Sequence, residues 1–292
     1  MLPLFNKVTI IGVGLLGGSL ALACKKNGIA SLVTGYGRRL ERIQEAQEKG
    51  IVDEVTNCLE EAVCGADLTV LCTPVIDIPV KARELVNFMK PASILTDVGS
   101  VKESIVAEVE KIISEGRYFV GSHPITGGEL SGFESSRDDL YQGALTIVSP
   151  TENTDSAALE KVVQLWERLG SEVIALDPVE HDQIYAGVSH LPHAVAFALM
   201  NAVGSMRSEH CGDILPFGGK GLLDYTRIAG SDPIMWRDIF LANRKQVLNC
   251  LSEFQDILDK LKKKIEIGDR KGLLELFERS NLYREKLSRY QK

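Results

Sequence analysis

No apolar stretch of this 292-residue chain reaches the ~18 uninterrupted residues that a membrane helix needs. Residues 8–24 come nearest, and 21–24 faintly resemble a lipoprotein cleavage site. Only Lys7 supplies a basic leader, however, and four glycines interrupt the run, so a secretory segment is a poor fit. An excess of positive charge is also missing. A net charge of −7 leaves no basic face to meet a phosphate backbone, which argues against a nucleic-acid partner. Cysteine is sparse and unpatterned. Cys24, Cys58, Cys64, Cys72, Cys211 and Cys250 form no C-x-x-C, and most have apolar neighbours, so free thiols in a reducing cytoplasm are expected. Internal repeats and low-complexity segments are absent as well. With 45% hydrophobic and 25% charged residues, the composition is that of a soluble globular protein long enough for two cores.

What the chain does have, at its start, is glycine in a set pattern. The β-branched run Val8-Thr9-Ile10-Ile11 reads as a buried strand and leads directly into Gly12-Val13-Gly14-Leu15-Leu16-Gly17-Gly18. A helix follows, stopped at Asn27-Gly28. Strand, G-x-G-x-x-G and helix in that order form the dinucleotide-binding fingerprint. Gly12 permits the tight turn, Gly14 lets the backbone approach a pyrophosphate, and Gly17 lets the helix lie close to the strand. The pyrophosphate would sit on the helix start at Leu15 and Leu16, where N–H groups lack partners and the macrodipole favours negative charge.

The rest of the first half alternates. Strands are predicted at 32–36, 68–72, 93–97, 118–121, 145–148 and 172–176, with helices at 39–49, 78–89, about 101–113 and 157–169. That alternation implies an α/β, Rossmann-type, doubly wound parallel sheet. From Pro178 onward no further strand pattern appears. Long helices are predicted at 179–206, 233–264 and 271–287, giving domains of 1–177 and 178–292, the second all-α. Residues 194–200 are nearly all apolar, as expected of a helix buried on every side, either within its own domain or against a second copy of the chain.

In an open parallel sheet, ligands bind outside the carboxyl ends of the strands. Thr73, Ser100 and His123 are expected there, with Thr73 on the cofactor side. His123 suits a general base, since a neutral imidazole accepts a proton at physiological pH. Ser100 either hydrogen-bonds the same substrate hydroxyl or caps the helix that follows it. His190 and His193 stand one helical turn apart without a third ligand at helical spacing, so a core or substrate-pocket role is expected rather than a metal. Arg227, with Asp224 and Asp232 nearby, forms either a structural ion pair or a fork for a substrate carboxylate. About ~20 residues past the glycines, where an NAD-specific acid would stand, the chain reads Gly35-Tyr36-Gly37-Arg38-Arg39. The nearest acid is Glu41. Arg38 and Arg39 would suit a 2′-phosphate, so NADP is expected to be accepted at least as well as NAD.

Taken in order, 12–18, 96–102, Gly121-Ser122-His123-Pro124, Ser189-His190-Leu191-Pro192-His193 and Asp224 through Arg237 resemble the prephenate dehydrogenases of tyrosine biosynthesis over nearly the whole chain. The resemblance implies oxidative decarboxylation of prephenate to 4-hydroxyphenylpyruvate, with arogenate as the sister substrate. It also implies a helical domain that makes a homodimer. By position, His123 matches the family's acceptor for the ring-hydroxyl proton and Ser100 the serine that supports it. His193 matches a substrate-pocket histidine, and Arg227 the arginine that grips a substrate carboxylate. Gly128 departs from relatives that carry threonine there. No regulatory or chorismate mutase segment is recognisable, so allosteric control through one is not expected. The rivals, an imine reductase, a 3-hydroxyacid dehydrogenase or a non-catalytic cofactor-binding regulator, would not be expected to combine Ser100, His123, His193 and Arg227.

Overall fold

The computed structural model describes residues 2–127 and 132–290. Gly128, where the chain departs from the family pattern, lies outside them. The described chain divides into two compact units, Met1–Arg244 and Lys245–Lys292.

The first unit is built on one eight-stranded sheet of order β3-β2-β1-β4-β5-β6-β7-β8. Its strands are β1 (Phe5–Ile11), β2 (Ala30–Tyr36), β3 (Glu54–Thr56), β4 (Leu68–Leu71), β5 (Ile94–Asp97), β6 (Tyr118–Ile125), β7 (Leu145–Ser149) and β8 (Glu172–Ala175). The helices between them are α1 (Leu15–Lys26), α2 (Leu40–Glu48), α3 (Leu59–Val63), α4 (Ile78–Leu85), α5 (Glu103–Val109) and α6 (Ser156–Arg168). The central strands are buried on both faces over 8–11, 68–71 and 94–97, short runs rich in apolar and β-branched residues. That is why β1, β4 and β5 were legible in the sequence and the half-exposed three-residue β3 was not. The switch in strand order lies between β1 and β4, where such sheets open their ligand crevice.

Two details depart from the expected all-parallel sheet. β7 runs antiparallel to β6, and β6 extends to Ile125 instead of stopping at Gly121. β5 pairs only with Tyr118–Val120, and β7 pairs with the remainder, from Gly121 to Ile125. His123 is therefore part of a strand that continues past the carboxyl end of its neighbour.

Beyond the sheet the unit continues as α7 (Pro178–Tyr185), a π-helical turn (Ala186–His190), α8 (Leu191–Ser205), α9 (Lys220–Thr226) and α10 (Pro233–Ala242). A two-residue ribbon, β9 (Arg207–Ser208) with β10 (Gly212–Asp213), interrupts the all-helical pattern expected there. The continuous helix expected over 179–206 is broken by the π turn. Pro192 has no N–H to offer the carbonyl of Val188, and its ring crowds that carbonyl. The backbone widens over the preceding turn. The helix expected at 233–264 divides at Asn243. Of α8, only Ala196 is buried within the chain, so its apolar surface is not covered on all sides by its own protomer. Trp236 and Ile239 of α10 join the core formed by Leu71, Ile78, Leu95 and Ile105.

The second unit holds α11 (Arg244–Glu266) and α12 (Arg270–Tyr290). Asp269 closes the turn between them, accepting from the Gly272 amide and pairing with Lys264 at 3.0 Å. Ile257, Ile265, Leu274, Phe277 and Leu282 are exposed on these helices. No helix among the described residues is long and apolar enough to cross a membrane.

Candidate active site

The glycine loop has the geometry that its spacing predicts. Gly12 has φ +101°, and a Cβ there would lie 2.8 Å from the carbonyl oxygen of Cys72. A side chain at Gly17 would overlap the carbonyl of Gly12 and sit 2.8 Å from Ile10 Cγ2. Gly14, the N-cap of α1, faces open space with no side chain capping the helix. Leu15 and Leu16 open α1, and their first-turn amides are the kind of donor a pyrophosphate takes. Thr73 sits against Gly12, and its buried hydroxyl has no hydrogen-bond partner. An orphaned hydroxyl beside an uncapped helix start fits a polar ligand. Arg38 and Arg39 follow β2 and are exposed, Arg39 as the N-cap of α2, while Glu41 already lies in that helix.

His123 is the centre of a second cluster. Its Nδ1 lies 2.8 Å from Nε2 of His181, whose own Nδ1 is 2.7 Å from Oδ1 of Asp182. Tyr185 stacks on His181 with centroids 4.7 Å apart and meets His123 edge-on at 5.0 Å. Burial, the neighbouring His181 and the Lys102 ammonium hold the His123 imidazole well below its ordinary range, which keeps it neutral. His181 is also held down by its burial, and the Asp182 carboxylate opposes that only in part.

Ser100 is half-buried on the segment between β5 and α5, and it does not cap α5. That task falls to Asp182, which accepts from the amides of Lys102 at 2.7 Å and Glu103 at 3.0 Å. Lys102 is itself fully buried, paired with Asp97 and donating to the carbonyl of Ser122 at 2.8 Å. Desolvation lowers its pKa, with Asp97 working in the opposite direction.

His193 donates from Nδ1 to the carbonyl of Ser189 at 3.0 Å, and its ring lies on Trp236. Burial holds the His193 imidazole down, and the charge of Arg227, exposed at the start of a 3₁₀ turn (Arg227–Gly230), adds to this. Asp232, a sequence neighbour of Arg227, is engaged as the N-cap of α10 through Met235. His190 is turned inward, its Nδ1 3.2 Å from Asn243 Nδ2, which also donates to the carbonyl of Asp182.

The structure thus brings His123 together with residues that sequence reasoning did not single out: His181, Asp182, Tyr185 and Lys102. The only sequence signal was the adjacent pair His181-Asp182. Nothing in the chain ties it to a histidine 58 positions earlier. Four of the chain's five histidines gather here, which spacing alone does not reveal.

Comparison with known proteins identifies the family. Residues 20–175 match the family described as prephenate dehydrogenase, nucleotide-binding domain, and residues 177–279 the prephenate dehydrogenase dimerization domain. A prephenate dehydrogenase of Bacillus subtilis is 31% identical over 98% of this chain and 77% of its own length. A cyclohexadienyl dehydrogenase of Zymomonas mobilis is 31% identical over 96% and 95%. Among solved structures, prephenate dehydrogenase from A. aeolicus, in complex with hydroxyphenyl propionate and NAD+, superposes with a TM-score of 0.91. It is 38% identical, covering 97% of this chain and 98% of that one. Synechocystis arogenate dehydrogenase superposes with a TM-score of 0.82 at 30% identity, over 96% and 99%.

Proposed function

We propose, from the premise that this chain belongs to the prephenate dehydrogenase family, that it oxidatively decarboxylates prephenate, with His123 accepting the proton of the ring hydroxyl. The observation that carries this reading is the environment of His123. It is a neutral imidazole at the open end of β6, backed by a buried hydrogen-bond chain. A base of this kind takes a proton in the transition state without having to shed one first. Ser100, at the carboxyl end of β5, is assigned to the same hydroxyl, and its freedom from capping α5 supports that role. His193 and Arg227 are assigned to the far end of the substrate, Arg227 to a carboxylate through a charge-assisted pair. Arogenate, whose side chain differs only in carrying an amine, is the alternative substrate.

Bound nicotinamide cofactor would supply the hydride acceptor. Gly12, Gly14, Leu15, Leu16, Gly17 and Thr73 are the residues that would hold it, and Arg38 with Arg39 the pair that would meet a 2′-phosphate. On that ground NADP is assigned at least equal standing with NAD. Residues 1–177 are read as the cofactor-binding half and 178–292 as the half that meets substrate and a second protomer. The apolar surface that α8, α11 and α12 leave exposed supports a homodimer, as the dimerization-domain match does. An interface of that kind buries more than ~2,000 Å².

Steady-state rates with prephenate and arogenate, each with NAD and NADP, test the activity. His123→Asn tests the base: turnover should fall by about 10²–10⁴ with the Michaelis constant for prephenate little changed. Wild-type turnover in that variant would remove His123 from its role.

A further inference from the structure

The hydrogen-bond chain behind His123 has a direction. An ionised carboxylate only accepts, so the 2.7 Å contact between Asp182 Oδ1 and His181 Nδ1 places a proton on Nδ1 of His181. In a neutral imidazole the other nitrogen then carries a lone pair. Nε2 of His181 must accept, and its partner at 2.8 Å, Nδ1 of His123, must donate. Nε2 of His123 is left bare. Three residues on two elements thus specify which nitrogen of His123 can take a proton.

We propose that His181 and Asp182 are positioning residues that fix His123 in the Nδ1–H tautomer and present its Nε2 as the proton acceptor. The proposal rests on the reading of His123 as the base. It adds that the acceptor nitrogen is chosen by α7 and not by the strand that carries His123.

Asp182 is well placed to do this because it is itself held. Its carboxylate also receives the amides of Lys102 and Glu103 at the start of α5, where the helix macrodipole favours a negative charge. Asn243 donates to its carbonyl at 2.8 Å. Tyr185 stacks on His181 and covers one face of that ring. The same carboxylate thereby ties two elements together: α5, whose start follows Ser100, and α7, which supports His123. When Nε2 takes up a proton, the positive charge on His123 faces the lone pair of His181, with Asp182 behind it. The other groups around His123 are Lys102 before α5 and His190 in the π turn, both of which oppose a cation there.

The test reads the tautomer directly. Full-length protein labelled with ¹⁵N at the histidine ring nitrogens is examined at about pH 7.5, where an unperturbed imidazole is neutral. The His123 signals are identified by their absence from His123→Asn. Protonated Nδ1 and bare Nε2 are expected for both His123 and His181. A protonated Nε2 on His123 would overturn the proposal, whatever the kinetics of His123→Asn. Asp182→Leu, which offers His181 no acceptor, should release His181 and His123 into a mixture of tautomers. It should lower turnover by about 10²-fold or more with little change in the Michaelis constant, since a wrong tautomer costs ~10⁴ in a serine protease. Lost turnover with an unchanged ¹⁵N pattern would assign Asp182 to capping alone and end its positioning role. If Asp182→Leu does not fold, His181→Gln and the wild-type spectrum decide the matter. Failure of the base assignment has its own signature: normal turnover in His123→Asn beside the expected tautomer.

Discussion

The imidazole of His193 lies flat on the indole of Trp236, with ring centroids 3.5 Å apart and 20° between the planes. Trp236 is buried, meets the Phe240 ring at a tilt with centroids 5.5 Å apart, and its Nε1 has no hydrogen-bond partner among the described residues. The indole therefore serves as a floor that orients His193, and its N–H contributes nothing to that. Trp236→Phe should preserve the stack and leave the Michaelis constant within about twofold, whereas Trp236→Leu removes it. A stacked pair is worth ~0.5–1.5 kcal/mol beyond its buried area, so Trp236→Leu should raise the Michaelis constant about 2–10-fold. Equal constants in both variants would show that His193 does not depend on the ring beneath it.

Lys102 and Asp97 form a buried ion pair with neither side chain exposed. The carboxylate also accepts the amides of Gly99 at 2.8 Å and Ser122 at 3.1 Å. Lys102→Met would leave that carboxylate buried without its counter-charge, at a cost of about 3–5 kcal/mol. Urea unfolding should register this as a lower midpoint with an unchanged slope. Adding Asp97→Asn should recover part of the loss, because the uncompensated charge disappears. If the double variant is less stable than Lys102→Met, the pair's hydrogen bonds outweigh its charge.

Burial holds the His190 imidazole down to about 4 from an ordinary 6.5. The unfolded chain takes up a proton near 6.5 that the native state refuses until about 4. The unfolded state therefore binds more protons between those values, and stability falls as pH falls. It is complete above 6.5 and lost progressively toward 4, by up to about 3 kcal/mol from this residue. His123, His181 and His193 are shifted the same way and steepen the loss. Unfolding free energies measured from pH 7 to 4 should show this decline, with a shallower slope in His190→Gln. Identical slopes would mean that His190 is protonated in the native state.

Arg38 and Arg39 stand exposed after β2. Arg38→Ala should lower kcat/KM with NADP about 10-fold or more, the worth of one charge-assisted contact of ~1.5–3 kcal/mol. The value with NAD should change little. A preference for NAD of more than about tenfold in the wild type, unchanged in Arg38→Ala, would show that these arginines do not read the 2′-phosphate.

What the sequence alone determined about this protein is what local pattern can carry. The short apolar and β-branched runs in β1, β4 and β5, and the glycines at 12, 14 and 17, fix a strand, a turn and a helix through steric rules that act over a few residues. They identified the doubly wound sheet and placed His123 and Ser100 at its open edge. Where the simple helix pattern failed, a stronger local rule or a distant partner had taken over. The helix expected through 179–206 gave way to a π turn ahead of Pro192. Ser100, which the sequence left open between a substrate hydroxyl and a helix cap, does not cap α5; the Lys102 amide goes instead to Asp182, 80 positions away. Only the tertiary structure decided which side chains surround His123. A hydrogen bond to His181 depends on two rings meeting in space, and the sequence between them constrains that meeting only through the packing of α7 against α5. The protonation state of His123, and the tautomer proposed for it, are set by burial and by partners drawn from distant elements. They belong to the fold and not to any segment of the chain.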